Sequence, residues 1–307
     1  MPGPFFSVVI PLYNKEQFVL AALQSVLSQA QAELEVIVID DGSTDAGPAL
    51  VHGLAEPRVT LIQQANAGVA AARNRGLEAA HGEYVCFLDA DDQYRPGFLA
   101  AMHQLARQFP DAGLLCCGYE AVWPDGQHKS FLRRHESPGA IGLVKDFYRE
   151  WAYQPFMNAS GVAIKRALLL DGGFRFAVGE KLGEDQDLWF RLAERTAVAH
   201  DNRPLVAYTQ AVPNSATTGA VVMDMLPCYQ RLAQRLSAGA VPAPMRAGAR
   251  RLLASHLINL ARTNAAAGEL RRAWTMLLSP AARHNPLYWL RSIGFVGSKG
   301  MRKGLGS

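Results

Sequence analysis

Three carboxylates, Asp89, Asp91 and Asp92, fall within four residues at the end of the apolar run Cys86-Phe87-Leu88, with no cation among them. Like charges about 4 Å apart repel by ~1 kcal/mol in water, and by more beside an apolar wall. A chain that collects them either leaves them solvated, as an acidic turn ahead of a helix started by Pro96, or brings a cation to them. A divalent ion is the natural candidate. An all-oxygen donor set suits Mg2+ or Mn2+ rather than zinc, and such ions keep several waters while binding one or two carboxylates plus substrate phosphates.

Two further acidic turns stand at comparable places. Asp40-Asp41-Gly42-Ser43-Thr44-Asp45 follows the apolar run from Glu35 to Ile39. An acid there can accept a hydrogen bond from a base or sugar donor, while Gly42 and Ser43 turn the backbone toward a helix N-terminus. The same residues also read as a plain helix start, capped by Ser43 or Thr44. Glu184-Asp185 precedes Leu188, Trp189 and Leu192 at helical spacing, and by itself suits the positive end of a helix.

The elements that must position these acids alternate along the first half. Phe6 to Ile10 reads as a buried strand, followed by Phe18, Val19, Leu23, Val26 and Leu27 at helical spacing. Glu35 to Ile39 predicts a second strand with a helix running to about Ala55, and Arg58 to Ile62 a third. Gly68 to Ala80 predicts an alanine-rich helix, and Glu83 to Leu88 a fourth strand. Such alternation with short connections implies an α/β fold with a mostly parallel sheet covered by helices on both faces. Ligands in such sheets bind at the carboxyl ends of the strands, where the first two acidic turns lie. Further on, Leu114 to Val122 predicts a strand and Asp185 to Glu194 a helix. Beyond Val221 come helical stretches at Met223 to Leu236, Met245 to Ala266 and Leu270 to Leu278, with Pro242 and Pro244 marking a boundary.

The 307 residues are 49% hydrophobic, enough for one large domain and a smaller one. No apolar stretch reaches the ~18 residues of a membrane span, and no basic-then-apolar leader precedes Ser7. Cys86, Cys116, Cys117 and Cys228 lie mostly in apolar runs without metal-ligand spacing, so buried, reduced thiols in a cytoplasmic protein are expected. Charge is uneven. Residues 225–307 hold 13 Lys or Arg and one acid, Glu269, a formal +12; the whole chain is +4, so residues 1–224 carry −8.

Three features occur in order: Pro11-Leu12-Tyr13-Asn14 closing the first strand, the turn at Asp40 to Asp45, and Asn66-Ala-Gly-Val-Ala-Ala-Ala-Arg73-Asn74-Arg75-Gly76 leading to the acidic run. In these the chain resembles the family 2 inverting glycosyltransferases, whose catalytic domain has the GT-A fold, over roughly residues 5–210. The resemblance implies a GT-A-type sheet at 1–220, with a donor half at about 1–112 and an acceptor half at about 113–220, ahead of a basic helical extension at 221–307. It implies a nucleotide-diphosphate sugar, by family preference a UDP-sugar, and Mn2+ or Mg2+ at the departing diphosphate.

Carried over by position, Asp41 matches the nucleobase carboxylate, and Pro11, Tyr13 and Asn14 the loop near base and ribose. Arg73 matches a further nucleotide contact, although an arginine in an alanine-rich helix can equally pair with a surface acid. Asp89 and Asp91 form the Asp-x-Asp motif, with Asp91 the first and Asp92 the second choice for the metal. Glu184 and Asp185 match the family's Glu-Asp motif, whose second acid is the general base; Asp187 faces elsewhere. Asn158, Ala159 and Ser160 resemble the segment beside sugar and acceptor, or equally a turn before a buried strand.

Two departures stand out. Tyr208 to Asn214 lacks the basic or histidine residues frequent after the corresponding tyrosine, and no Gln-x-x-Arg-Trp motif appears, which argues against a processive synthase. The reading is one sugar moved to a glycan or lipid-linked acceptor in cell-envelope or extracellular polysaccharide assembly. The alternative is a catalytically silent nucleotide-sugar scaffold or sensor, which would not need Asp185. A nucleotidyltransferase lacks its lysine-containing phosphate loop here, and a dehydrogenase its Gly-x-Gly-x-x-Gly. Nucleic acid is not an expected partner. Aromatic and basic residues among Arg283, Leu287, Tyr288, Trp289, Leu290, Arg291, Ile293, Phe295, Val296, Lys299, Arg302 and Lys303 suit either an anionic membrane at the inner face of the cytoplasmic membrane or packing on the acidic body.

Overall fold

The computed structural model describes residues 3–30, 33–212 and 221–304. The first half alternates as its apolar runs suggest: β1 (Phe6–Leu12), α1 (Val19–Leu27), β2 (Leu34–Asp40), α2 (Gly47–Gly53), β3 (Val59–Gln63), α3 (Val69–Ala79) and β4 (Tyr84–Phe87). Next come β5 (Gln93–Tyr94), α4 (Phe98–Gln108), β6 (Ala112–Val122), β7 (His128–Phe131), β8 (Ile141–Leu143) and α5 (Phe147–Tyr153). They are followed by β9 (Val162–Lys165), α6 (Arg166–Leu170), α7 (Glu184–Ala193) and β10 (Ala197–Thr209). Four helices close the chain: α8 (Pro227–Ser237), α9 (Arg246–Ala266), α10 (Leu270–Leu278) and α11 (Pro286–Gly304).

The strands form one sheet in the order β3-β2-β1-β4-β9-β6-β10-β5, with β7 on β6 and β8 on β10. Parallel pairing joins β3 to β2, β2 to β1, β1 to β4, and β6 to β10, while β9 runs antiparallel between β4 and β6. β1 is enclosed by strands on both sides, which is why its sequence is an almost unbroken apolar run; six of its seven residues are buried. The strand order reverses between β1 and β4. Loops leaving the carboxyl ends of β1, β2 and β4 therefore diverge around one crevice, the place where sheets of this kind bind ligands.

Helix α3 lies close on this sheet because Gly76 has no side chain: a Cβ there would collide with the methyl groups of Val9 on β1. Arg73, one turn earlier on the same face, is thereby held over the strand ends. β10 carries the polar run His200, Asp201, Asn202 and Arg203 at its middle, so the sequence offers no unbroken apolar run for it. It is a strand nonetheless. Its pairing with β6 slips between Asp201 and Pro204 and again before Val206, and the buried Asn202 amide donates to the carbonyls of Arg133, Glu136 and Ser137.

The chain divides into two compact units, one from residues 3–145 and 155–212, the other from 146–154 and 221–304. This differs from a single boundary near residue 220, because α5 belongs with the C-terminal helices. Gly248 on α9 leaves room for Asp146 and the backbone of Arg149, and Arg251 stacks 4.8 Å from the Tyr153 ring. Pro242 and Pro244 lie inside this second unit, between α8 and α9, rather than at its edge. Its core gathers Ile258, Ala261, Ala265, Ala273, Leu277, Ala282 and Val296. All four cysteines are buried and free. Among the described residues, no helix is long and apolar enough to cross a membrane.

Candidate active site

The acidic run leaves β4 as a turn closed by the bond from Asp92 N to the Asp89 carbonyl at 2.9 Å, which sends its three carboxylates to different surroundings. Asp92 is buried, and both its oxygens are engaged: Oδ2 accepts from Ser160 Oγ at 2.6 Å and Oδ1 from Thr209 N at 3.0 Å. As a metal ligand, Asp92 would have to share oxygens already engaged by Ser160 and Thr209. Burial, with Asp89 and Asp91 nearby, pushes its carboxyl well above the usual range. Ser160 also accepts from Asp89 N at 3.1 Å, so one hydroxyl ties the start of β9 to both ends of the turn.

Asp91 meets Lys15 Nζ at 3.0 Å. Its carboxyl is raised by burial and by Asp89, and Lys15 opposes that rise. Asp89 accepts from Arg73 Nη2 at 2.6 Å. The donors offered by Asp89 and Asp91 are oxygens only, a set that fits Mg2+ or Mn2+. Among the described residues, no group of three or more His, Cys, Asp or Glu could form a protein-only cage. An ion bound here would complete its shell from phosphate and water, as Mg2+ commonly does.

Arg73 is 3% exposed and also donates from Nη1 to Glu184 at 2.9 Å. It pairs with acids, as one of its two expected roles required, but neither pairing is an exposed surface one. Burial alone would lower its pKa; Asp89 and Glu184 outweigh that and raise it. Its guanidinium also lies 5.3 Å from the Phe176 ring, and Asn74 clamps Phe176 through both backbone groups at 3.0 Å.

Gly183, with φ of 84°, turns the chain into α7, so that Glu184 and Asp185 occupy its first turn. Glu184 is buried against Arg73, whereas Asp185 is half-buried and accepts from Gln186 N at 2.7 Å. Burial, followed by Glu184, raises the Asp185 carboxyl to about 7, against the opposing pull of Arg73. Asp187 points away and holds Arg191 Nε at 2.8 Å.

At the end of β2, Asp41 is buried and accepts from Gln64 Nε2, Ala67 N and Gly68 N, each at 2.8 Å. Three of a carboxylate's four acceptor positions are thus filled, leaving one for a ligand N–H. Asn14, at φ of 50°, donates its N–H to Ser43 Oγ at 3.1 Å and accepts from Thr44 N at 2.8 Å, stitching the loop after β1 to the turn after β2. Pro11 lies within β1, and Tyr13 is 47% exposed beside these loops in sequence. Sequence reasoning missed Lys15. Its signal was available, since Lys15 is the single Lys or Arg among the first 57 residues and directly follows Asn14. Pro213 and Asn214 lie outside the described residues.

The model of the family described as "Glycosyl transferase family 2" matches residues 7–163. The chain is similar to the uncharacterized glycosyltransferase EpsJ of Bacillus subtilis (strain 168), at 32% identity over 224 residues, 70% of this chain and 63% of EpsJ. It is 41% identical over 104 residues to the succinoglycan biosynthesis protein ExoO of Rhizobium meliloti (strain 1021), 34% of this chain and 30% of ExoO. The chain spans less than two thirds of the length of such relatives. The structure of S. aureus TarS 1-349 in complex with UDP-GlcNAc superposes with a TM-score of 0.68 at 20% identity, covering 96% of this chain and 81% of that one, which establishes a shared fold.

Ser160→Ala should lower unfolding stability by about 1.5–3 kcal/mol, because it leaves the buried Asp92 carboxylate short of a charge-assisted donor. Urea unfolding measures this, and an unchanged midpoint would deny Ser160 its tying role.

Proposed function

Because the chain belongs to glycosyl transferase family 2, we propose that it moves one sugar from a nucleotide-diphosphate sugar to a hydroxyl of a glycan or lipid-linked acceptor, with inversion at the anomeric carbon. One observation carries this reading: Asp185, in the first turn of α7, stands one residue from an acid joined through Arg73 to the acidic turn. The succinoglycan role in the name of ExoO favours polysaccharide assembly, and the ligand of TarS favours UDP as the nucleotide.

In the proposed reaction, Asp185 takes the proton of the acceptor hydroxyl as its oxygen bonds to the anomeric carbon, and the bond from that carbon to the diphosphate oxygen breaks with its electron pair. Asp41 uses its remaining acceptor position for a ring N–H of the base, with Pro11, Tyr13 and Asn14 beside base and ribose. Asp91, assisted by Asp89, would hold Mg2+ or Mn2+, which when bound would neutralise charge on the departing diphosphate. Lys15, beside Asp91, supplies positive charge at the place where the segment after Tyr208 has none.

Base catalysis contributes typically 10²–10⁴-fold, so Asp185→Asn should reduce transfer by at least about 10²-fold while calorimetric binding of a UDP-sugar is retained. The base must be unprotonated, so kcat/KM should rise with pH up to about 7 and level off above it. Full transfer by Asp185→Asn would remove Asp185 as the base, whereas a parent chain that binds the UDP-sugar without transferring it would favour the scaffold reading. Separately, Asp91→Asn should weaken Mn2+-dependent donor binding, and excess chelator should silence the parent enzyme. Undiminished activity in chelator would remove the metal from this account.

The peripheral membrane reading rests on α11. Its exposed positions include Leu287, Leu290, Arg291 and Gly294 at helical spacing, with Leu287 at 70% and Leu290 at 59% exposure. Apolar residues on an outward face within a basic segment suit an anionic lipid surface, where each nearby basic residue is worth ~1 kcal/mol. Leu287→Gln with Leu290→Gln leaves the buried Val296 and Ala282 in place, and should reduce sedimentation of the full chain with anionic liposomes. Equal binding by parent and variant, or equal binding to neutral liposomes, would defeat it.

A further inference from the structure

Arg73 joins two places far apart in the chain. Asp89 lies 16 residues away, on the turn assigned to the donor, and Glu184 lies 111 residues away, beside the proposed base. The side chain is 3% exposed, and both terminal nitrogens are used within 3 Å, one on each acid. A guanidinium is planar and presents its donors in a rigid fork, so the two carboxylates it grips are held at a set separation. Both terminal nitrogens donate to protein carboxylates, and the buried Nε has no partner, so the group's strongest contacts are with the two acids.

The surroundings leave the group little freedom. Gly76, on the same face of α3, allows the helix to sit against Val9, and the Phe176 ring lies on the guanidinium at 5.3 Å. Phe176 in turn meets Phe87, at the end of β4, and Trp189, on α7. The same two elements that carry Asp89 and Glu184 are thus joined a second time, through aromatic contact.

We infer that Arg73 is a positioning residue that fixes the first turn of α7, through Glu184, relative to the donor turn, through Asp89, so that Asp185 faces the acceptor hydroxyl at the reacting distance. This deepens the proposed transfer and rests on Asp185 as its base. Arg73 touches neither donor nor acceptor in this account. It acts on rate because misplacement of a catalytic group by ~1 Å can cost about 10²-fold.

The test compares Arg73→Met, Arg73→Lys and Glu184→Gln with the parent full-length chain, using steady-state transfer from a UDP-sugar, calorimetric binding of the same UDP-sugar with Mn2+, and thermal unfolding. Arg73→Met should lower kcat by about 10²-fold with donor affinity changed less than about threefold, and Arg73→Lys should recover part of kcat. In a double-mutant cycle, Glu184→Gln should add little to the loss caused by Arg73→Met.

A raised KM or weakened donor binding at unchanged kcat would overturn the inference in favour of a nucleotide contact. Parallel loss of donor affinity, kcat and thermal stability in all three variants, Glu184→Gln included, would overturn it in favour of a merely structural pair. Asp185→Asn assayed alongside keeps the two readings apart. Activity surviving in Asp185→Asn removes the base itself, whereas full kcat in Arg73→Met with transfer lost in Asp185→Asn removes only the role of Arg73.

Discussion

Negative charge gathered at the carboxyl ends of β2 and β4 is the condition that the rest of the catalytic unit answers. A buried carboxylate without compensation costs several kcal/mol, and each acid here is met differently. Asp41 takes two backbone N–H groups and an amide; Asp92 takes a hydroxyl and a backbone N–H; Asp91 takes Lys15. Arg73 serves two acids at once, Asp89 and Glu184. Removing one partner of a buried ion pair typically costs about 3–5 kcal/mol, mostly because the other charge is stranded. The closeness of α3 to the sheet at Gly76 is therefore part of the site's electrostatics as well as of its packing.

Much of the sheet was legible in the sequence, for a local reason. β1, β2 and β4 are enclosed strands, so their residues are mostly apolar, and the turns that end β2 and β4 are rich in Asp. β10 was not legible. It carries buried His200, Asp201 and Asn202, and nothing in the local pattern reports that an amide will find three carbonyls from the segment after β7. The same limit hid the attachment of α5 to the C-terminal unit, since that depends on Gly248 lying opposite Asp146, about a hundred residues away. Of the site, residue types and motif order pointed to Asp41, Asp89, Asp91 and Asp185. The engagement of Asp92 by Ser160, and of Arg73 by Glu184, exists only between distant segments.

In the C-terminal unit the excess of arginine is partly structural. Arg262 lies 4.1 Å from the Phe295 ring and 5.8 Å from Tyr288, Arg251 lies over Tyr153, and Arg283 sits 5.7 Å from Trp289. Such contacts, worth about 0.5–1 kcal/mol at exposed sites, let a small helical unit with few large core residues hold its aromatic side chains in place. The basic composition is therefore not all surface charge. What distinguishes α11 is its outward leucines, because packing within the unit does not account for Leu287 and Leu290.

Glu184 and Asp185 are neighbours of the same chemistry in one helical turn, and the fold separates their tasks. Glu184 faces Arg73 and accepts from its guanidinium; Asp185, one residue on, points about 100° around the helix, where burial and its neighbour disfavour ionisation. The charge on Glu184 that raises Asp185 is itself kept in place by Arg73, which pulls Asp185 the other way. The Asp185 carboxyl is set by that opposition. The same guanidinium that meets Asp89 thus also bears on the group proposed as the base.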